Sequence, residues 1–428
     1  MPIAMPVTPS IAKSHRCLAW SLYATILVIA PLLFSGGASI SLLCQMGTFI
    51  ILALSYNMLL GQGGMLSFGH AVYSGLGAFC SIHALNMAGD GVPIPVSLIP
   101  LIGGFAGMFF GALFGYVTTR KSGTTFAMIT LGMAELVFAS ALMFPGFFGG
   151  EGGVMADRVI GQPLLGITFG PQIEVYYLIV VWLFVCTLAM YAYTKTPLGR
   201  ILNAVRDNPE RAEFIGYDPR LVRYLALILS AFFAGIGGGL TAINFEIVSA
   251  ENVGTLRSGA ILLFTFIGGI GFFFGPIIGA VIGVFLTVSL SGYTHAWQLY
   301  LGLFFILIVM AAPGGIAGLV MQAARAWREG RTMQLLPFAV AGLLIGLSLL
   351  AGLVLLVEML YYLNLGTPGS STNGMRLLGL LINPRHALPW LIALMLTANG
   401  LVGWYVLRRR LHTFFDLRGP ALMRKGQS

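Results

Sequence analysis

"GAILLFTFIGGIGFFFGPIIGAVIGVFLTVSLS", residues 259–291, is the longest apolar run in the core of the chain, and its reading decides the topology. A helix needs roughly 20 apolar residues to cross a bilayer. This run is too long for one ordinary pass, and Gly275-Pro276 interrupts any helix drawn through it. It reads as two short half-spans, 259–271 and 276–291. Everything after it changes sides according to whether it crosses once or twice.

Charge tests the choice. The chain is 57% hydrophobic and 9% charged, with a net charge of +9 over 428 residues. Its mean hydropathy is +0.90. Soluble domains carry about 25% charged residues, so the solvent for most of this chain is lipid. Candidate spans lie at 17–34, 42–60, 66–86, 94–118, 123–144, 173–193, 223–246, 298–312, 334–360 and 387–407, in addition to the two half-spans. With a cytoplasmic N-terminus and two passes over 259–291, all 23 basic residues fall inside except Arg158, Arg257, Arg376 and Arg385. A single pass would put Arg325, Arg328 and Arg331 outside. The positive-inside rule therefore favours two passes, about twelve crossings or half-crossings, and both termini cytoplasmic. The fold class is an all-α polytopic membrane protein. The net charge is a topology signal; no aromatic-interleaved basic stripe marks a nucleic-acid site.

Other classes are excluded on composition. Cys17, Cys44, Cys80 and Cys186 all sit in apolar segments without a CxxC pair, and read as small hydrophobes. The six histidines are scattered, with no HExxH, so neither a metal site nor a catalytic cluster is expected. The first apolar run follows a polar N-terminus without a small-residue cleavage site, which predicts a retained helix.

A second interruption lies at "LLGQGGMLSFGHAVYSGLGAF", residues 59–79. Gly61, Gly63, Gly64 and Gly69 break the helix there, as Gly271, Gly275 and Pro276 do in the later run. Breaks free backbone groups that must be satisfied by protein or water, and transporters use them to line a pathway. Asn57, Gln62, Ser67 and His70 are the polar groups beside the first break. Two readings stay open for His70: a lining group of the pathway, or an imidazole bonded to a freed carbonyl. Asn57, Gln62 and Ser67 can also act as glue between helices. Glu135, late in its span, and Glu246, closing its span, are the acidic candidates, both expected near the outer mouth.

The one long charged connection is "KTPLGRILNAVRDNPERAEFIGYDPRLVRY", residues 195–224. Thr196 and Pro197 start a short helix with Leu198, Ile201, Leu202 and Val205 on one stripe. Arg200, Asn203 and Arg206 face the other way. Asn208, Pro209 and Glu210 start a second helix, which Gly216 is placed to end. Arg206–Glu210 and Asp207–Arg211 are expected i, i+4 pairs. A folded protrusion, where a floppy linker would suffice, suggests docking of a cytoplasmic partner.

Residues 199–240, "GRILNAVRDNPERAEFIGYDPRLVRYLALILSAFFAGIGGGL", resemble the cytoplasmic loop and following helix of permease subunits of branched-chain amino-acid ABC importers, the LivM-like type. Residues 61–79 match that family's GxxGxxSxGHAxFxGxGAY-type segment. "GTTFAMITLGMAE" at 123–135, "FGGEGG" at 148–153, "GGIGFFFGPIIGA" at 268–280 and "APGGIAGL" at 312–319 follow in the family's order. The likeness covers about residues 17–325. It implies a permease domain over 1–325 of about 10 helices or half-helices, with a coupling loop at 195–222. It also implies a bacterial-type cytoplasmic (inner) membrane location.

The resemblance further implies partners: a second related permease, two cytoplasmic ATPase subunits and an extracytoplasmic solute-binding protein. By analogy the coupling element is Arg206, Asp207, Asn208, Pro209, Glu210, Arg211, Glu213 and Gly216. The chain has no GxxxxGK[ST] and no Gly-Lys dipeptide, so ATP-Mg is expected on the ATPase partners, with no cofactor in this chain. Two departures stand out. Residues 332–428 extend beyond the family's usual end with two further apolar spans. Glu151 stands in the outer loop where a Ser-Asp or similar pair is expected.

The function expected is import of branched-chain or related amino acids. Urea, amides and aromatic acids are alternative substrates of the same superfamily. A stand-alone ion-coupled transporter is the alternative from another class; it calls for paired acidic groups at mid-membrane.

Overall fold

The computed structural model describes residues 9–159, 168–294, 296–312, 314–328, 332–365, 375–377 and 380–416. They form sixteen helices: α1 (Pro9–Leu33), α2 (Gly37–Asn57), α3 (His70–Gly89), α4 (Ile99–Thr118), α5 (Thr124–Met143), α6 (Pro145–Phe148), α7 (Gln172–Lys195), α8 (Pro197–Asp207), α9 (Pro209–Phe214), α10 (Pro219–Phe245), α11 (Thr255–Gly268), α12 (Gly275–Tyr293), α13 (Trp297–Ala311), α14 (Gly315–Arg328), α15 (Thr332–Leu365) and α16 (Ala387–Asp416). Among the described residues, eight helices are long and apolar enough to cross a membrane. Each of the twelve expected segments is helical. Those short of a full apolar span are α1, α3, α11 and α13. The protein is an all-α polytopic membrane protein.

The long run at 259–291 is two helices. α11 ends at Gly268, and Gly269 takes φ +110°, a conformation L side chains rarely adopt. Gly275 and Pro276 start α12, where the second half-span is expected to begin and where proline's missing N–H costs nothing. Gly271 lies in the turn between, and a Cβ there would touch nothing within 4 Å.

The chain divides into two compact units. One holds Thr8–Tyr293 with Leu301–Leu319; the other holds Thr294–Tyr300 and the described residues from Val320 onward. In the first unit α10 is the central helix, packed on α4, α3 and α2. The α4 face is a glycine ladder. Gly103, Gly107, Gly111 and Gly115 recur every fourth residue, all buried, so they stack on one side of the helix. Gly235 and Ala231 of α10 press against them so closely that a Cβ on Gly107 would lie 3.0 Å from the Gly235 Cα. Small residues at this spacing let helix backbones approach without a hydrophobic driving force. α3 is sheathed by this packing; most of its residues are buried, and it can therefore carry Ser74, Ser81 and His70 without facing lipid.

At one end of the unit, β1 (Val154–Met155) pairs antiparallel with β2 (Ile247–Val248), joining the α6–α7 connection to the end of α10. The segment after β2 then turns back inward: Val253 and the Asn252 carbonyl rest on Gly75, five residues inside α3. So α11 starts part-way down the bundle, which is why fourteen residues suffice for it. In the second unit α15 and α16 form a hairpin, with Gly352 against Thr397 and Gly400 against Leu349. β3 (Met375–Leu377) pairs with β4 (Leu380–Ile382) in the connection between them.

Candidate functional site

α2 does not end as a regular helix. It passes at Met58–Gln62 into one π turn, then Gly64 takes φ +63° and the chain runs irregularly to His70. A π turn is the kind of irregularity that accompanies functional sites. The freed backbone is then met by side chains from three helices. Tyr56 donates its hydroxyl to the Ser67 carbonyl at 3.0 Å and accepts the Ser67 amide at 3.2 Å. The Phe68 amide donates to Thr130 Oγ1 of α5 at 3.1 Å. The Gly69 amide donates to Ser67 Oγ at 3.3 Å, and the Ala71 amide to Ser258 Oγ of α11 at 3.0 Å. Buried polar backbone must be paired, and here the pairing is by hydroxyls.

His70 is fully buried, and its imidazole meets Ser55 Oγ of α2 at 2.9 Å, a side-chain partner in neither of the two readings open for it. Ser55 spends its hydrogen on the Leu52 carbonyl at 2.8 Å, so its oxygen accepts, and Nε2 is the protonated nitrogen. Tyr56 and Tyr73 stand edge-on to the ring on two sides. Asn57 is buried with its Oδ1 over Gly61, and Gln62 is half-buried. Gly69 sits where a Cβ would meet the Thr130 carbonyl. Asn57, Gln62, Ser67 and His70 are thus gathered around one break.

Neither acidic candidate joins them. Glu135 lies half-way along α5, about 7.5 Å of helix beyond Thr130, rather than at the mouth. Its Oε1 accepts the Thr255 hydroxyl at the start of α11, 2.9 Å away, and the carboxylate is exposed. Glu246 does sit at the strand-bearing end, in the left-handed conformation (φ +57°) that caps α10. It belongs to a network the sequence reading missed. Arg158, only 9% exposed, donates to the carbonyls of Phe169, Gly170 and Asn244 and to Gln172 Oε1, at 2.8, 3.2, 3.2 and 3.0 Å. Glu246 Oε1 accepts the Arg158 amide at 3.0 Å. The arginine neutralises the carbonyl end of α10 and ties three segments together. No local signal marks it, because its partners in α10 are more than 80 residues away.

At the opposite end lies the charged loop. α8 and α9 form as their caps dictate: Thr196 Oγ1 accepts the Gly199 amide, Asn208 Oδ1 accepts the Arg211 amide at 2.9 Å, and Asp218 Oδ1 the Arg220 amide that opens α10. Gly216, with φ +96°, ends α9. Tyr217 N bonds the Ala212 carbonyl and Gly216 N that of Glu213, the paired bonds of a Schellman motif. Arg206, Asp207, Asn208, Pro209, Glu210, Arg211, Glu213 and Gly216 are all exposed. The expected i, i+4 pairs are absent. Arg206 instead turns to its neighbour Asp207, with Nη2 at 2.9 Å, and sends Nη1 to the Gly61 carbonyl in the π turn. Beyond the charges, Phe214 and Ile215 at the tip are 92% and 69% exposed.

Among the described residues, no group of three His, Cys, Asp or Glu side chains can hold a metal.

Comparison with known proteins agrees with this architecture. Residues 39–313 match the family described as "Branched-chain amino acid transport system / permease component". The chain is 27% identical over 318 residues to the high-affinity branched-chain amino acid transport system permease protein LivM of Salmonella typhimurium, covering 68% of this chain and 73% of that protein. It is 26% identical over 292 residues to LivM of Escherichia coli, covering 63% and 67%. Similarity extends to the fructose import permease protein FrcC of Rhizobium meliloti, 27% identical over 234 residues, covering 49% of this chain and 62% of that protein. No solved structure matches. On the length of the family match and its agreement with the broken-helix core, the chain belongs to the permease-component family of branched-chain amino acid transport systems.

Proposed function

We propose that this chain is the permease subunit of an ATP-driven importer of branched-chain or related amino acids. It forms the translocation pathway with a second related permease. Two separate ATPase subunits, which hold ATP-Mg, dock on the loop at 195–222, and an extracytoplasmic solute-binding protein delivers substrate at the β1–β2 end. The membrane is a bacterial-type cytoplasmic membrane, with the loop and both termini on the cytoplasmic side.

One observation carries the reading. Phe214 and Ile215 lie at the end of the second of two capped helices, 92% and 69% exposed, in a loop whose other exposed groups are largely charged. A loop that only connects two spans gains nothing from an ordered apolar tip; exposed apolar groups rimmed by charge are what a protein partner covers. The break beside it supplies the moving part. Asn57, Gln62, Ser67 and His70 are assigned to the gate, and the exposed Glu135 on α5 to the pathway wall, since a carboxylate at that depth calls for water or a protein neighbour.

Reconstitution tests the assignment. With ATPase partners present, uptake is expected to need ATP, and F214S with I215S is expected to release the ATPases. Uptake by the chain alone under an ion gradient would overturn it in favour of a secondary transporter. For the substrate, the amino-acid assignment is supported by the LivM likeness. The similarity to a fructose permease makes sugars the comparison ligands when the binding protein is assayed.

A further inference from the structure

One side chain joins the loop to the first helix break, which in turn abuts the second. Within the π turn, the Met65 amide turns back to the Leu59 carbonyl, so the Gly61 carbonyl loses its helical donor. Arg206, on the last turn of α8, supplies one through Nη1. The same guanidinium keeps Nε and Nη2 on Asp207 Oδ1, at 3.0 and 2.9 Å. Its aliphatic stem lies on Gly64, where a Cβ would be 2.8 Å from Arg206 Cγ. Leu202, one turn earlier and fully buried, lies 3.3 Å from a Cβ position on Gly63. On its other side Gly61 abuts the second break: a Cβ there would lie 2.6 Å from the Ile270 carbonyl. Gly269 in turn packs on Gly315, both at positive φ, at the start of α14.

We propose that Arg206 is the strut through which the loop acts on the gate, holding the Gly61–Gly64 break and, through it, the turn at 269–274. The proposal rests on the reading that the loop receives the ATPases, and it names how their motion enters the bundle. The contacts of Gly61 with the Ile270 carbonyl and of Gly269 with Gly315 are backbone on backbone, with no long side chain between them to absorb a displacement. Close-packed contacts of this kind shift as units and do not deform gradually. Asp207 is the last residue of α8 and adjoins the Asn208 cap of α9, so a tilt of α9 is transmitted to the guanidinium directly. Arginine suits the task because its planar fork holds two partners in fixed geometry, which the compact ammonium of a lysine does not fix. Arg206 is thus a positioning residue that acts through the Gly61 carbonyl.

The test uses the assembled transporter in proteoliposomes and reads substrate taken up per ATP hydrolysed, for R206Q, R206K, D207N and F214S. R206Q is expected to lower uptake per ATP about tenfold, the scale of one lost charge-assisted hydrogen bond. R206K, which keeps a donor within reach of Gly61, restores part of the ratio. D207N falls between, because the guanidinium stays but is no longer aimed. A ratio for R206Q within about twofold of the parent, well under the change one such bond carries, overturns the strut. If R206Q does not assemble, D207N decides: an unchanged ratio overturns it. F214S separates the two levels. Loss of ATPase capture in F214S with a normal ratio in R206Q leaves the docking reading standing and removes the strut; ATPase capture unaffected by F214S removes the docking reading itself.

Discussion

His70 Nε2 and Ser55 Oγ lie 2.9 Å apart across the gap between α3 and α2, and the Ser55 carbonyl accepts the Ser230 hydroxyl of α10 at 2.6 Å. Three helices therefore meet on one serine. The ring that looked like a candidate for substrate contact is inside the seal of the break, with no exposed surface. H70A is expected to lower the unfolding free energy in detergent by about 2–4 kcal/mol, from the cavity and the lost bond to Ser55 Oγ. H70Q, which keeps a donor near Ser55, recovers part of that. Substrate affinity of the assembled transporter is expected to hold in H70Q; a loss of affinity with unchanged stability would place His70 in the pathway.

How far the sequence foretold this arrangement depends on the range of the interaction. Spans, caps and breaks are local, and they are legible: Thr196, Asn208 and Gly216 do in the structure what their residue types predict. The hydroxyls that close the break are not. Thr130 and Ser258 reach Phe68 and Ala71 from 62 and 187 residues away, and a threonine or serine in an apolar helix has no local mark that says which backbone it will meet. The spacing puts Arg206 on the face away from the apolar stripe, and its exposure agrees, but its reach to Gly61 depends on how α8 lies across the bundle. The start of α11 half-way down the unit was equally hidden, since the re-entrant path of 249–254 is set by Gly75, on a different helix.

The glycine ladder separates packing glycines from idle ones. G107L would drive a side chain into the Ala231 carbonyl and the Gly235 backbone, and G238A would overlap the Ser74 carbonyl. Overpacking of this kind typically costs about 1–3 kcal/mol and more when the obstacle is backbone. G107L is expected to abolish recovery of folded protein, and G238A to reduce it severely. Gly132 and Gly259 have nothing within 4 Å of a Cβ position, so G132A and G259A are expected to fold normally. Size-exclusion profiles of the four variants in detergent check the contrast; equal yields would mean the helices are not packed through these faces.

Arg158 holds the opposite end by geometry as well as charge. Its fork reaches carbonyls of the α10 terminus and of the segment that leads into α7, a spread that a single ammonium does not cover. R158K is expected to lose about 2–3 kcal/mol of stability despite its unchanged charge. E246G exchanges the carboxylate bond to the Arg158 amide for a residue at ease at φ +57°. Its effect is expected to stay within about 1 kcal/mol. Unfolding in detergent, monitored by circular dichroism, ranks the two variants, and a larger loss in E246G than in R158K would contradict the assignment of the arginine as the organiser.

The loop offers a test of whether its helices are preformed or ordered only by a partner. Asn208 Oδ1 accepts the Arg211 amide, and the Gly216 turn closes α9 with its own backbone bonds. Six residues are too few for a helix to persist on propensity, because nucleation is costly; the caps are what hold it. N208A removes one of them at a cost of about 1 kcal/mol. Amide exchange over residues 209–217 is expected to speed up about fivefold, the same energy expressed as an opening equilibrium. Exchange in α2, α4 and α10 stays unchanged, since none of their bonds is touched. G216A adds strain at φ +96° and is expected to act in the same direction. Exchange that is already fast in the parent chain, and indifferent to both substitutions, would mean that α9 forms only on docking.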